Sequence, residues 1–432
     1  MSVILYVLSI LVLLIPGAAI ASYLNSEVDD LFFWGFLSLF YGATCTAMWM
    51  TILGLFSLPW TLPTIILPIC IPSVYVLYRK RKHIVLRLEK SQLLFSCVAF
   101  PILISLTIRS LTGTVSHWDF MLHWAAKSRQ YYLGHLFDPQ YLLWPWHHHL
   151  KPDYPHLVTN LFTFQALMMS QFNDRLMMLN DVIFVAALFY VVFILIRKIV
   201  YQWYVSFMVF LGFSLLFVSF VINTRTVGGA DLLFSSLAGC VVYYFHEYGE
   251  RRQYSALRNM FIFLGILSYT KFEGLFYSAL FSVMIAICLF VKKQHFKMML
   301  RSLLWYGCIV APWLAVTTYF HLNTQASAGS AILSRIGLLP ALLQGFLETL
   351  LQPTWYGAWI FFATSYAYIL VFRKRVGLLP ITLLLLCIYL VIYLTNSDPI
   401  YYLQSSLGRL LLPLFVLCVY DFISAFRVRT AA

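Results

Sequence analysis

Three residues of complementary chemistry recur every four positions in His117-Trp118-Asp119-Phe120-Met121-Leu122-His123-Trp124-Ala125-Ala126-Lys127. On an α-helix Asp119, His123 and Lys127 share one face. A carboxylate able to accept a proton, an imidazole beside it and a cation for an anionic group make a candidate catalytic face. The same spacing also describes a wet interfacial helix with an ion-pair ladder, anchored by Trp118 and Trp124. Local spacing leaves both open.

Four further stretches carry polar chemistry. Trp144-Pro145-Trp146-His147-His148-His149-Leu150-Lys151-Pro152-Asp153-Tyr154-Pro155-His156 holds a histidine run that cannot all point one way. At most two of its imidazoles can share a metal, with Asp153 or His156 as a further ligand, and a polar loop bounded by prolines competes with that reading. Thr224-Arg225-Thr226-Val227-Gly228-Gly229-Ala230-Asp231 ends in a carboxylate at a helix start, where capping and the helix dipole are the simple account. Tyr269-Thr270-Lys271-Phe272-Glu273-Gly274 interrupts a long apolar run with two opposite charges. These either pair with each other or serve a site, since ionisable groups at membrane depth mark function. Asn396 to Arg409 brings Asp398, Tyr401, Tyr402 and an arginine that heads an apolar segment. Snorkelling to lipid phosphates or binding a substrate phosphate suits Arg409 equally.

The elements that position these residues follow from composition. Of 432 residues, 62% are hydrophobic and 10% charged, against about 25% charged in a soluble domain. The expectation is an all-α integral membrane protein with about thirteen transmembrane helices, each about 20 residues to cross roughly 30 Å of hydrocarbon. The segments are 3–24, 31–55, 61–78, 91–108, 178–196, 203–223, 231–246, 258–270, 274–291, 302–320, 355–372, 378–395 and 407–425. The first is read as a true helix rather than a cleaved leader, because it lacks a basic n-region.

Net charge is +13, yet twenty of the 29 Lys and Arg fall in short loops placed on one side. Positive charge retained in cytoplasmic loops accounts for them without nucleic acid. Nine lie on the other side: Arg109, Lys127, Arg129, Lys151, Arg175, Arg225, Lys271, Arg335 and Arg409. That orientation puts the large loop from Arg109 to residue 177 outside the cytoplasm, with three carboxylates and seven of the eleven His before Leu157. Leu157 to Asn173 and Ile332 to Leu351 are apolar enough to cross, but counting either would invert the later basic loops. Both are therefore expected to lie in the interface. All eight Cys fall inside apolar segments, so neither a disulfide framework nor a zinc site is indicated.

These pieces, in this order, resemble the GT-C superfamily of membrane glycosyltransferases that use polyprenyl-phosphate sugars. The superfamily includes protein O-mannosyltransferases, lipid A aminoarabinose transferases and lipopolysaccharide galacturonosyltransferases. Trp118-Asp119 running into Lys127 resembles its first-loop acidic motif. Lys151-Pro152-Asp153-Tyr154-Pro155-His156-Leu157 resembles the proline-tyrosine segment that opens a juxtamembrane helix. Gly229-Ala230-Asp231 is similar to its outer aspartate, and Thr270-Lys271-Phe272-Glu273-Gly274 to its lysine-containing turn.

The resemblance implies three parts: accessory helices over 1–90, a catalytic module over 91–300 including loop 109–177, and C-terminal helices over 301–432 without a soluble domain. It implies a site on the extracytoplasmic side of a bacterial inner or plasma membrane. The reaction it implies is transfer of a sugar from a polyprenyl-phosphate donor to a hydroxyl of a glycan, lipid or protein, with inversion and Asp119 as general base. His123, Lys127, Asp153, Tyr154, Arg225, Asp231, Lys271, Glu273 and Arg409 are the implied substrate contacts. Asp119 is followed by Phe120 where many relatives have two adjacent acidic residues, so no cofactor is assigned and a divalent metal is left open. The implied partners are the donor, the acceptor and membrane lipids. A transporter or flippase of lipid-linked sugars and an O-antigen polymerase or ligase are the competing classes. Transporters place ionisable residues near the bilayer midplane, whereas here they gather at one face and in one loop.

Overall fold

The computed structural model describes residues 1–25, 28–81, 84, 86–113, 119–200, 202–223, 228–291, 296–322, 335–373, 377–395 and 398–425, and every regular element among them is helical. Four helices come first: α1 Ser2–Leu24, α2 Leu31–Leu55, α3 Leu62–Lys80 and α4 Lys90–Thr112. Local chemistry sets their starts. Asp30 accepts from the Phe33 amide at 2.8 Å to cap α2, and Thr61 and Thr64 cap α3 reciprocally. The polar stretch that follows is short helices: a π turn Phe120–Trp124, α5 Ala125–Gly134, α6 Pro139–Leu143, a 3-10 turn Pro145–Leu150 and α7 Leu157–Met169. Ten more complete the chain: α8 Asp174–Ile199, α9 Trp203–Asn223, α10 Asp231–Arg251, α11 Tyr254–Thr270, α12 Glu273–Val291, α13 Phe296–Tyr319, α14 Leu339–Leu350, α15 Ala358–Tyr368, α16 Leu379–Thr395 and α17 Pro399–Ala425.

Each of the thirteen apolar segments carries a helix. Among the described residues eight are long and apolar enough to cross a membrane: α1 to α4, α8, α9, α13 and α17. The others fall short by length or polarity. The 17 residues of α11 rise about 25 Å, less than a hydrocarbon core of about 30 Å. The surface matches an apolar surround: α3 buries only Ile65, Cys70 and Ser73, while Leu67, Ile71, Val74 and Tyr75 stand exposed.

Two expectations change. The segment 407–425 begins eight residues earlier, because Asp398 accepts from the Tyr401 amide at 3.0 Å and Pro399 opens the helix. Arg409 therefore sits in the third turn of α17 rather than at its head. The expectation of a wet face on the helix at Leu157 to Asn173 is also corrected. An interfacial helix keeps one face wet, yet all thirteen residues of α7 are buried, against α1, α2 and α5.

Several of its polar groups find partners inside, although Thr159 Oγ1 and Asn160 Oδ1 are buried without one. Asn160 donates to the Ala47 carbonyl and to Thr51 Oγ1, both at 2.9 Å, and Gln165 exchanges two 2.8 Å hydrogen bonds with Asn180 of α8. The segment at Ile332 to Leu351 differs. Its described part, Ile336 to Leu350, leaves Leu343 and Leu347 exposed.

The α1–α2 crossing depends on two glycines. A Cβ on Gly17 would lie 1.6 Å from the Ser38 carbonyl oxygen, and one on Gly42 1.8 Å from that of Leu13. Only glycine lets the two backbones approach this closely.

Candidate active site

Five charged side chains from four segments converge at the end of the bundle that carries the large loop. Lys271, in the turn between α11 and α12, lies 2.8 Å from Asp231 Oδ1 and 3.4 Å from Glu273 Oε1. Arg409 of α17 lies 3.4 Å from Asp231 Oδ2 and also pairs with Asp119, ahead of the π turn. Asp231 thus bridges the two cations. It is the first residue of α10, and its carboxylate accepts from Lys271 and from Arg409.

Exposure ranks the members. The Asp119 side chain is 40% exposed, against 4% for Asp231 and 11 to 15% for Lys271, Glu273 and Arg409. Asp119 is the most accessible carboxylate of the network. Three carboxylates face two cations, and Glu273 Oε2 is buried without a hydrogen-bond partner. Burial alone would lower the Lys271 pKa, but Asp231 and Glu273 raise it, so the ammonium stays charged.

A fourth carboxylate went unnoticed in the sequence. Asp181, on α8, is buried and accepts from the Gly228 amide. Gly228 has φ +98°, a conformation that favours glycine, and a Cβ there would press on Phe120 at 3.1 Å. This contact fixes the start of the π turn against the α9–α10 connection. An aspartate inside an apolar run was the available signal.

His123, Lys127, Asp153 and Tyr154 form a second layer behind the ion network. The π turn breaks the four-residue register, so Asp119 turns toward Arg409 while His123 and Lys127 turn inward, both buried. No ladder forms: Lys127 Nζ and both ring nitrogens of His123 and of His156 are without hydrogen-bond partners. Lys127 lies 5.2 Å from the Trp124 ring. Tyr154 stacks edge-on against His123, with centroids 5.2 Å apart, and carries Lys151 over its ring at 5.1 Å. The Trp313 indole donates to the Asp153 carbonyl at 3.0 Å.

Burial dominates the electrostatics of this layer. It brings the Lys127 pKa down to about 7, with Asp153 opposing and Lys151 reinforcing the fall. Burial also holds the His156 imidazole down at about 3 and His123 well below its usual value, Lys127 adding to both. It raises the Asp153 carboxyl, and it lifts the Tyr154 phenol, where Glu273 and Asp119 add to the rise.

Arg225, with His117 and Trp118, lies outside the described residues, as do the side chains of His148 and His149. Among the described residues no group of three or more His, Cys, Asp or Glu is placed to hold a metal ion. The chain was compared with protein-family models, with curated proteins and with solved structures, and none of the three gives a match.

Proposed function

We propose that the chain is a glycosyltransferase that moves a sugar from a polyprenyl-phosphate donor to an acceptor hydroxyl at the loop-bearing end, on the extracytoplasmic face of a membrane. The observation that carries this reading is the convergence of Asp119, Asp231, Lys271, Glu273 and Arg409, with Asp119 the most accessible member. A buried ion network is weak support for stability, since desolvation offsets its attraction. Such clusters more often serve a site.

In the proposed step, Asp119 takes the proton of the acceptor hydroxyl. The hydroxyl oxygen bonds to the anomeric carbon as the bond from that carbon to the phosphate oxygen breaks. The electron pair leaves on the phosphate, and the anomeric centre inverts. Arg409 and Lys271 face the developing negative charge in a site poor in water, where such interactions act most strongly. Arg409 holds Asp119 before the donor arrives. A donor phosphate competing for the guanidinium frees the carboxylate to act as base, coupling base activation to donor binding. Asp231 and Glu273 hold Lys271 in place. Lys127 and His123 serve from behind, shaping the layer under Tyr154 rather than touching the donor.

The test is a transfer assay with purified protein and a panel of labelled polyprenyl-phosphate sugars. Asp119→Asn is expected to slow transfer by about 10²- to 10⁴-fold, the contribution of a general base, while thermal unfolding stays near wild type. A variant as fast as wild type removes Asp119 as the base. A wild-type protein that moves lipid-linked sugar across vesicles without consuming it makes the chain a transporter.

A further inference from the structure

A cavity lies at the opposite end of the bundle from the ion network, and the reaction above makes no use of it. It measures about 550 Å³ and opens among the ends of α1, α2, α8, α10 and α11. Ligand sites fall at about 300–1,000 Å³. Sixteen residues of α10 separate Asp231 from Glu247 in its wall, a rise of about 24 Å, so the two sites are distinct.

The inner wall carries buried polar groups, Asn25, Asn259, Tyr243 and Tyr244, with half-buried to exposed charged side chains around them. Asn25 Oδ1 accepts from the Tyr244 hydroxyl at 2.8 Å and the Asn259 amide at 2.5 Å, and Asn25 donates to Tyr41 at 3.1 Å. Arg258 donates to the Leu24 carbonyl and, at 3.3 Å, to Asn259 Oδ1. Both acceptors are neutral, and three of the five guanidinium N–H groups are left over. Lys198 and Arg251 share one carboxylate, Glu247, at 2.6 and 3.4 Å.

Among the described residues, the other carboxylates of the wall are committed or peripheral. Glu89 pairs with Arg197 at 3.5 Å, Asp30 caps α2 and accepts from Tyr190 at 2.5 Å, and Asp29 is exposed. The cavity therefore offers one cation seated on neutral oxygens, two more sharing a single carboxylate, and hydroxyl and amide groups between them. An anion with hydroxyls on its skeleton satisfies that set, with the charged group on Arg258.

We infer that this cavity is a second binding site and that it takes a phosphate carried on a hydroxylated carbon skeleton. Glycerol phosphate presents that chemistry as a solute, and phosphatidylglycerol presents it as a lipid headgroup. The site stands independently of the proposed transfer reaction.

Binding is measured on the full-length protein in two arms. Equilibrium dialysis with labelled glycerol phosphate reads the solute. Native mass spectrometry from phosphatidylcholine nanodiscs containing phosphatidylglycerol reads the lipid. Saturable binding in either arm is expected, and the arm that responds identifies the source. Arg258→Gln is expected to weaken binding about tenfold or more, the effect of losing a hydrogen bond to a charged group.

Ser255 also lines the cavity, so Ser255→Phe fills it and decides the matter if Arg258→Gln fails to fold. Asp119→Asn should bind as wild type does, which separates failure of this site from failure of the other. The inference is overturned if wild type binds neither probe, or if the folded variants bind as tightly as wild type.

Discussion

Lys127 is completely buried, its ammonium lacks a hydrogen-bond partner, and burial brings its pKa to about 7. The folded value lies below that of an unfolded lysine, about 10.4. Between those pH values the unfolded chain holds the extra proton, so stability climbs with pH from about 7 to about 10 and levels off above. Below about 7 the cost of the buried charge is present in full. Asp153, His123, Lys151 and His156 are the titratable groups that face it. Lys127→Met is expected to raise Tm at pH 7 by on the order of a few degrees and to flatten its rise toward pH 10. Thermal scans across that range check it, and a variant whose Tm tracks wild type at every pH overturns the assignment. The charges of the ion network were legible in the sequence because so few interrupt an apolar chain. The depth of Lys127 was not, because a four-residue spacing does not reveal a π turn.

Among the elements, α7 shows where residue types mislead. Asn160, Thr163 and Gln165 are residues that usually face water, and here they are partnered inside the bundle. Asn180→Leu strands the Gln165 amide and the Tyr6 hydroxyl, which lies 3.1 Å from Asn180 Oδ1. The expected loss is about 1–3 kcal/mol, the cost of unsatisfied buried polar groups. Adding Gln165→Leu should recover part of it, and a double-mutant cycle of thermal stabilities reads the coupling; additive losses would count against the pair.

Gly42→Leu is expected to disrupt the α1–α2 crossing, where a Cβ already meets the Leu13 carbonyl. Crosslinking between α1 and α2 should fall to background while α8–α10 crosslinks persist; unchanged α1–α2 crosslinking would contradict the close contact. Helix positions were legible because apolar runs and capping residues are local signals. Burial of α7 depends on helices distant in sequence.

For the whole molecule, the distribution of basic loops makes a statement about sides. In a cysteine-free background, Trp146→Cys, at a site 81% exposed, should react with a membrane-impermeant maleimide in intact cells. Gln253→Cys, exposed beside the second cavity, should react only after permeabilisation. Labelling of Gln253→Cys alone in intact cells would invert the proposed orientation, and labelling of both would contradict their placement on opposite sides. The helical class was legible from composition. The cavity was not, because Asn25, Asn259 and Glu247 lie far apart along the chain and meet only in the packed bundle.

The tie between Asp119 and Arg409 spans 290 positions, and this has a consequence for biosynthesis. A ribosome delivers Asp119, Asp231, Lys271 and Glu273 well before Arg409 emerges. Until α17 inserts, the nascent protein holds three carboxylates against one ammonium. If the proposed transfer reaction holds, chains cut short before that helix are expected to lack it, and competence arrives late in translation.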